Sequence, residues 1–543
     1  MKNILSELAS KIGIPFDSIE PYGHYSAKLP LNLTTQLSDR PSGKLILVTA
    51  MSPTPAGEGK TTTAIGLNDG LRLIGKNSVA CLRQPSLGPV FGQKGGATGG
   101  GKSQITPQAD INLGFNGDFS AIESANNLLA ALIDNHIFQG NQLQINKDTV
   151  TWRRVMDMND RGLRITVTGL GKNNGTAQET GFDITAASEI MAILCLANSF
   201  SDLKERLSQI IIGYSFSQAP VTVKDLGATG SMAALLRNAV KPNLVRSLEG
   251  NPVLVHGGPF ANIAHGCSSV IATQLALKLS DYVVTESGFG ADLGAEKFLH
   301  IKCRQAGLWP SAVVVVATAR ALKYHGGVKQ ADLNQENLQN LEIGLVNLQR
   351  HVENMKKFGL PVTVSINRFP TDTSRELELL QSKALLWKVP VVISDPYGSG
   401  GNGCKDLAET VVKTSTQQQT SPQFLYPSDA SLIDKLRTVA TQLYGAADIS
   451  ITPMVKKTIE DLEQRGFGRL PICMAKTQYS FSSDSKKLGA PTGHTLEVQG
   501  IRLSAGAGFI VMVCGEMMLM PGLPKRPSSH DIDCSDEGIV TGL

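Results

Sequence analysis

The residues of this chain best suited to chemistry lie between positions 54 and 61, in the stretch TPAGEGKT. A phosphate-binding loop of the Walker A type has a glycine, four variable residues, and then Gly-Lys-Ser/Thr. Gly59, Lys60 and Thr61 match that ending, whereas Thr54 stands where the first glycine is usual. Such a loop surrounds phosphate oxygens with backbone N–H groups, while its lysine reaches the outer phosphates and its hydroxyl contacts Mg²⁺. The predicted ATP-binding residues are Thr54, Pro55, Ala56, Gly57, Glu58, Gly59, Lys60 and Thr61.

The sequence around this loop has the context that the motif requires. The strand-like run KLILVTAM (44–51) precedes the loop, and the helix-like stretch TTTAIGLNDGL follows it. The alternative is a plain glycine-rich turn between a strand and a helix. The agreement of motif and context favours phosphate binding.

A second glycine-rich segment covers residues 81–118, and five of its glycines fall between Gly95 and Gly101. Arg83 in this segment directly follows the apolar run SVACL, so it lies at a predicted strand end. An arginine there could hold a carboxylate or an acyl phosphate with its paired donors. It could equally be a surface arginine beside a mobile loop, and the residues alone leave both interpretations open.

Six short runs, apolar throughout, indicate buried strands of a mostly parallel α/β sheet. They are KLILVTAM (44–51), NPVLVHG (251–257), DYVVTE (281–286), SAVVVVAT (311–318), PVTVSIN (361–367) and VPVVIS (389–394). Ligands of such sheets bind beyond the carboxyl ends of the strands. Helical spacing of apolar residues predicts a helix in AIESANNLLAALIDN (121–135), and the polar segment TSTQQQTSPQ (414–423) is expected to be a loop or linker.

The overall composition excludes several classes of protein. A net charge of +4 over 543 residues, without a Lys/Arg-dense run, argues against a nucleic-acid or membrane partner. The longest strongly apolar run, at 312–319, is far too short to span a membrane. The eight cysteines are scattered without close pairs, which indicates reduced thiols and a cytoplasmic protein.

Acidic and histidine residues follow two of the predicted strands. Glu286, Asp292 and Glu296 suit contacts to Mg²⁺ or ribose, although Asp292 could instead cap the following helix. His256 and His265 flank glycines and suit a phosphate or formate contact. The alternative for both histidines is a hydrogen-bonded place in the core.

Longer blocks of the sequence resemble one known family, the formate–tetrahydrofolate ligases. The blocks are TPAGEGKTTT, LRQPSLGPVFGQKGGATGGG, ETGFDITAASEIMAILCLA, VHGGPFANIAHGC, VVTESGFGADLGAEKF, INRFPTDT, PICMAKTQYS and MPGLP. They occur in this order from EPYG at 20–23 to the last twenty residues, so that the resemblance covers essentially the whole chain. Within this resemblance Thr54 is the family's own residue at the first loop position.

The resemblance implies an enzyme that makes 10-formyltetrahydrofolate from formate, ATP with Mg²⁺, and tetrahydrofolate through formyl phosphate. Lys60 would act on the transferred phosphoryl group, Arg83 would hold formyl phosphate, and Thr61 would contact Mg²⁺. Phe369 matches an aromatic residue that stacks on the pterin, and Tyr397 stands where its tryptophan partner is usual. From the residues alone, both aromatics are better explained by packing.

The resemblance also implies a homotetramer and activation by a monovalent cation such as potassium or ammonium. We expect three domains: residues 1–350 as the P-loop ATP-binding domain, 351–440 as an α/β domain with the folate-stacking aromatics, and 441–543 as a C-terminal α/β domain.

The chain departs from the family pattern where substrate is expected to bind. The differing residues are Gln84, Gly114, Ser120, Gln178 and Tyr397. Two alternatives therefore stand beside the ligase interpretation: a P-loop ATPase switch that regulates a partner, and a drifted ligase with another acid substrate or reduced activity.

Overall fold

The protein, described here from a computed structural model, is an α/β protein built around one large sheet. The structure describes residues 4–55, 57–94, 97–515 and 517–543. No helix within these ranges has the length and apolar character needed to cross a membrane.

The central sheet has twelve strands, which we number in chain order. They are β1 (Glu20–Tyr22), β2 (Ser26–Lys28), β3 (Lys44–Ala50), β4 (Ser78–Leu82), β5 (Gly99–Gly100), β6 (Ser103–Thr106), β7 (Asn243–Ser247), β8 (Pro252–Val255), β9 (Tyr282–Glu286), β10 (Ala312–Ala317), β11 (Val362–Asn367) and β12 (Val391–Ser394).

Seven neighbouring strands of this sheet are parallel, in the order β8-β4-β9-β3-β10-β11-β12. Antiparallel pairing of β7 to β8, β2 and β6, and of β1 to β2, extends the sheet at the β8 edge. Every residue of β4, β8, β9, β10 and β11 is buried, as expected for strands covered on both faces. All six strands predicted from apolar runs are confirmed, and so is the α/β fold class.

The helices cover the faces of the sheet and connect its parallel strands. Those of eight or more residues are Ile4–Lys11, Lys60–Leu73, Asp118–Phe138, Glu189–Leu196, Phe200–Ser208, Thr229–Leu236, Val270–Leu279, Leu338–Lys357, Ser374–Ala384, Lys405–Gln417, Leu432–Gln442 and Pro453–Gln464. Shorter ones are Asn32–Gln36, Leu87–Pro89, Gln108–Asn112, Arg304–Ala306, Ala319–His325 and Pro396–Ser399. Because Ile122, Ala125 and Leu129 are buried on one face of Asp118–Phe138, the helix predicted at 121–135 is confirmed.

The prediction of a loop or linker at residues 414–423 is partly wrong. The segment 414–423 begins inside the helix Lys405–Gln417, and only its later residues are irregular. Thr414 and Ser415 are buried despite their polar side chains, because the Thr414 hydroxyl donates to the Thr410 carbonyl at 2.8 Å and that of Ser415 to the Val412 carbonyl at 3.1 Å. Hydroxyls satisfied within their own helix do not need a loop.

Smaller sheets lie outside the central one. Their strands are Arg154–Met156 with Phe182–Ile184, Thr166–Thr168 with Gln178–Thr180, Ile211–Tyr214 with Pro220–Thr222, Asp448–Ile451 with Thr495–Val498, Gly500–Ser504 and Ile472–Ala475 on either side of Phe509–Val513, and Asp533–Cys534 with Val540–Thr541. Strands β11 and β12 fall between residues 351 and 440, yet they are hydrogen-bonded into the central sheet. The domain limits 1–350, 351–440 and 441–543 stay a prediction.

The cysteines behave as the sequence predicted. All eight are free thiols, and seven of them are buried. Burial raises the pKa of the Cys81 thiol to about 12, so this side chain is a neutral core group at physiological pH.

Candidate active site

The predicted phosphate loop connects the end of β3 to the helix Lys60–Leu73. Gly57 and Gly59 both have a left-handed backbone, with φ of 76° and 74°. The carboxylate of Glu58 turns back into the loop, where Oε1 accepts a hydrogen bond from the Thr54 N–H at 2.7 Å. The loop is therefore closed on itself by one of its own side chains. Ala56 lies outside the described residues, so its predicted contact with ATP has no structural account.

A second contact fixes the loop from outside. The side-chain amide of Asn367, at the carboxyl end of β11, donates to the Glu58 carbonyl at 3.0 Å. A methyl group on Gly59 would collide with that amide, and the left-handed φ of Gly59 independently disfavours a side chain. Glycine is therefore favoured at position 59.

Lys60 begins the helix, and its ammonium lies 3.9 Å from Glu58 Oε2. Burial lowers the pKa of Lys60, while the nearby carboxylates of Glu58 and Glu286 oppose that shift. A phosphate group entering the loop would add negative charge beside this ammonium and favour its charged form.

Glu286 joins the phosphate loop to the second glycine-rich segment. It ends β9, which pairs with both β3 and β4, so its side chain lies between the segments that follow those two strands. Its Oε2 accepts a hydrogen bond from the Thr61 hydroxyl at 2.7 Å, and its Oε1 lies 3.7 Å from Arg83 Nε. The site thus brings Lys60, Thr61, Arg83 and Glu286 together.

The surroundings of Arg83 favour a place inside the site over a surface position. Its side chain is 26% exposed and that of Glu286 is 5% exposed, which is not the setting of a surface arginine beside a loop. The guanidinium Nε has no hydrogen-bond partner among the described residues. Arg83 therefore holds a partly buried positive charge with unused donor capacity.

The other two acidic residues of this region have structural roles. Asp292 lies within the π-helix Ala291–Ala295 and forms a fully buried ion pair with Lys476 at 3.0 Å. Glu296 accepts a hydrogen bond from His300 Nδ1 at 2.7 Å. Neither of the alternatives considered for Asp292, a metal or ribose contact and a helix cap, matches this arrangement.

The two histidines are both fully buried but differ in their contacts. His256 Nε2 lies 2.7 Å from the Ala239 carbonyl, and Nδ1 lies 2.6 Å from the Ser269 hydroxyl. Burial lowers the pKa of His256 to about 4, so the ring is neutral and serves the core. His256 therefore occupies a hydrogen-bonded place in the core, which is the alternative to a contact with phosphate or formate.

The ring of His265 differs from that of His256 in its hydrogen bonds. Neither ring nitrogen has a hydrogen-bond partner within the described ranges. Burial lowers its pKa, and the cations Lys302, Lys297 and Arg83 act in the same direction. The His265 ring is neutral and its donor and acceptor atoms are unpaired among the described residues, so its contact with phosphate or formate stays a prediction.

The two predicted folate-stacking aromatics follow neighbouring strands. Phe369 comes two residues after β11 and Tyr397 three residues after β12, where Asn367 and Ser394 are paired. The guanidinium carbon of Arg320 lies 3.7 Å from the centre of the Phe369 ring, so one ring face is covered. The Tyr397 side chain is 57% exposed. Neither ring is a core aromatic, contrary to the packing alternative.

The second glycine-rich segment contacts the backbone of Tyr397. The Lys102 N–H donates to the Tyr397 carbonyl at 2.9 Å. A methyl group on Gly101, which has a φ of 59°, would collide with the same carbonyl. Part of the glycine excess is therefore explained by a close approach of two backbones. Gly95 and Gly96 lie outside the described residues.

The departures from the family pattern occupy different surroundings. Gln84 is buried beside Arg83, and neither atom of its amide has a hydrogen-bond partner in the described part of the chain. Gln178 is half-buried in the strand Gln178–Thr180 and donates to the Lys147 carbonyl at 3.2 Å. Gly114 has a φ of 97°, and Ser120 is exposed in the first turn of Asp118–Phe138. Of the five, Gln84 and Tyr397 adjoin the site just described.

Two residues of the site were not found by sequence reasoning. Asn367 ends one predicted strand and Arg320 follows another, and a position at a strand end could have marked both as candidates. Their partners are distant in sequence, however, and Asn367 is 309 residues from Glu58. Only the strand order of the sheet brings them together.

These features define the class of P-loop nucleotide-binding α/β proteins. In that class a loop with a lysine and a hydroxyl joins a strand to a helix, and an acidic residue ends the neighbouring parallel strand.

Comparison with known proteins identifies the family within that class. The sequence model of the family described as formate–tetrahydrofolate ligase matches residues 1–543. A formate–tetrahydrofolate ligase of Methylibium petroleiphilum is 56% identical over 548 residues, covering 100% of this chain and 98% of that protein. Proteins of the same description from Granulibacter bethesdensis and a Nocardioides species are each 56% identical and cover 95% and 97% of their own lengths. The chain belongs to the formate–tetrahydrofolate ligase family and is an enzyme. The alternative of a P-loop switch is wrong.

Proposed function

We propose that this ATP-dependent formate–tetrahydrofolate ligase works through a formyl phosphate intermediate, at the edge of the sheet formed by the ends of β3, β4, β9, β11 and β12. The observation that carries this proposal is the contact of Glu286 with both Thr61 and Arg83. That contact makes one site from a phosphate loop and an arginine suited to an acyl phosphate.

The chemistry needs charge neutralisation and positioning more than covalent help from the protein. Formate is a poor acyl donor, because oxide leaves badly, and transfer of the ATP γ-phosphoryl group to a formate oxygen supplies a good leaving group. The folate N10 amine then attacks the formyl carbon, and phosphate departs. Lys60 and Arg83 supply two positive charges near Glu286, which suits them to neutralise the transferred phosphoryl group.

The residues present fit a magnesium ion bound with ATP. The Thr61 hydroxyl is the loop group that contacts Mg²⁺ in P-loop proteins, and an acidic residue of a neighbouring strand supports it. Glu286 stands in that second position, hydrogen-bonded to Thr61. Mg²⁺ would neutralise charge on the β- and γ-phosphates. Glu286 would orient the Thr61 hydroxyl and limit the approach of Arg83.

The acid substrate is placed on the Arg83 side of the site. Arg83 Nε, the Gln84 amide and the His265 ring are buried polar groups that lack hydrogen-bond partners among the described residues. Buried polar groups of native proteins are normally satisfied, so three unsatisfied ones in adjoining segments indicate a place for a small polar ligand. Formate, with two acceptor oxygens, matches the donors of Arg83 and Gln84.

Tetrahydrofolate is placed between the ends of β11 and β12. Phe369 offers the ring face that Arg320 does not cover, and the exposed ring of Tyr397 follows the next strand. Stacking on aromatic faces suits a pterin, although tyrosine presents less area than tryptophan. The drifted-ligase alternative, with a changed acid or reduced activity, rests on Gln84 and Tyr397 and is tested by assaying formate against other small acids.

Glu286→Gln is expected to weaken the use of Mg²⁺ while leaving the fold intact. The amide keeps the size of the side chain but removes the charge that holds Thr61 and faces Arg83. Loss of a supporting carboxylate typically costs 10–100-fold in metal affinity or activity. Titration of Mg²⁺ into enzyme with a fluorescent ATP analogue should therefore show half-saturation at about 10–100-fold higher Mg²⁺.

Glu20→Gln is a matched control for this change, because Glu20 pairs with Lys241 at 2.7 Å at the far edge of the sheet. Its Mg²⁺ titration should equal that of the wild type. An unchanged titration curve for Glu286→Gln would remove Glu286 from the nucleotide site.

The enzyme is further proposed to be a cytoplasmic homotetramer activated by a monovalent cation. Association of chains is supported by three exposed apolar side chains on one hairpin segment, Ile165, Val167 and Leu170, each more than half exposed. Light scattering should give four times the chain mass of 57.9 kDa, and replacing Val167 by aspartate should lower that mass. A monomeric wild type would contradict this assembly.

A further inference from the structure

The segment INRFPTDT, residues 366–373, contacts both halves of the proposed site. Its Asn367 donates to the Glu58 carbonyl of the phosphate loop at 3.0 Å and is 3% exposed. A Cβ on Gly59 would collide with the same amide, so the Gly59 backbone lies directly against it. Asn367 is thus the contact through which strand β11 sets the shape of the phosphate loop.

Two residues later the same segment carries Phe369, which is held in place on several sides. The Phe369 N–H donates to Asp372 Oδ2 at 2.8 Å, and Arg320 covers one face of the ring at 3.7 Å. The N–H of Arg368, between Asn367 and Phe369, donates to the Ser394 carbonyl at the end of β12. The backbone from Asn367 to Phe369 therefore has little freedom to move in parts.

We propose that Asn367 is a positioning residue that couples nucleotide binding in the phosphate loop to tetrahydrofolate binding at Phe369. The inference rests on the proposed placement of the two ligands. A nucleotide phosphate orders the loop that presents the Glu58 carbonyl, and the Asn367 amide carries that order into the segment with Phe369. A ligand that binds an already ordered segment has less conformational entropy to lose, so the coupling is positive.

The test measures binding without turnover. Dissociation constants of the non-hydrolysable analogue Mg-AMP-PNP are measured by calorimetry with and without saturating tetrahydrofolate, in the absence of formate. In the wild type, folate should tighten analogue binding by about fivefold or more, the lower end of typical coupling between sites. In Asn367→Ala and in Asn367→Ser the ratio of the two constants should fall below about twofold.

Asn126→Ala is the matched control. Asn126 is 2% exposed, and its amide donates to the Arg153 carbonyl at 2.9 Å, away from the phosphate loop. Its coupling ratio should equal that of the wild type even where its melting temperature falls as far as that of the Asn367 variants. A melting-temperature change alone therefore cannot imitate the loss of coupling.

Failure of this proposal and failure of the ligand placement give different results. A wild-type ratio near one, or an unchanged ratio in both Asn367 variants, overturns the coupling role of Asn367. Phe369→Ala tests the placement separately, since it should weaken tetrahydrofolate binding alone. If folate affinity is the same in Phe369→Ala and wild type, the folate site is elsewhere and the coupling proposal falls with it.

Discussion

Lys60→Ala is expected to abolish synthesis of 10-formyltetrahydrofolate, with a loss in kcat of more than about 10³-fold, at or beyond the upper end of what one positioned donor contributes in a protected site. Lys60 is the loop cation that we propose to act on the transferred phosphoryl group, and two carboxylates lie near it. Without the ammonium, the carboxylates of Glu58 and Glu286 would face the phosphates with one less opposing charge. Repulsion between these carboxylates and the phosphates would then add to the loss of the attraction by Lys60.

The measurement is the rate of formyltetrahydrofolate formation at saturating substrates, together with thermal unfolding. The melting temperature should stay near that of the wild type, because Lys60 lies in the first turn of its helix and its only ion pair within the described residues, with Glu58, is long at 3.9 Å. Lys329→Ala, at an exposed lysine, should leave the rate unchanged. Activity near the wild-type level in Lys60→Ala would show that the phosphate loop is assigned wrongly.

Arg83→Ala is expected to lower kcat by about 10²–10³-fold and to leave nucleotide affinity nearly unchanged, since we propose that Arg83 acts on the acyl phosphate rather than on ATP. Arg83→Lys should recover only part of the rate, because an ammonium cannot reproduce the planar, paired donors of a guanidinium. Removing Arg83 also deprives the Glu286 carboxylate of the cation that lies 3.7 Å from it.

The discriminating readout is the comparison of nucleotide binding with product formation. Fluorescence titration of an ATP analogue should give a Kd within about twofold of the wild type, while formyl transfer falls. The exposed Arg375→Ala, which breaks a surface pair with Glu336, should change neither quantity. Unchanged synthesis by Arg83→Ala would exclude Arg83 from the reacting centre.

The parts of the fold that depend on local sequence could be predicted well. Continuous apolar runs gave β3, β8, β9, β10, β11 and β12, because strands covered on both faces need no polar residues. The phosphate loop could be located because its glycines, lysine and hydroxyl are neighbours in sequence. Arg83 was found for a similar reason, since it directly follows a buried strand.

The contacts across the site could not be predicted. Glu286 was only one of three acidic candidates, and the structure separates it from Asp292 and Glu296 by the strand order that places β9 between β3 and β4. His256 looked as suitable as His265 in sequence, yet its ring is fully hydrogen-bonded in the core. The link from Asn367 to Glu58 depends on a neighbourhood of strands that no local pattern encodes.

The buried pair of Asp292 and Lys476 bears on how far this enzyme can be shortened. Lys476 lies among the last seventy residues, whereas Asp292 follows Glu286 by six positions. A chain that ended before Lys476 would lack the cation that neutralises the Asp292 carboxylate. We therefore expect that a shortened version of this ligase needs the chain at least through Lys476.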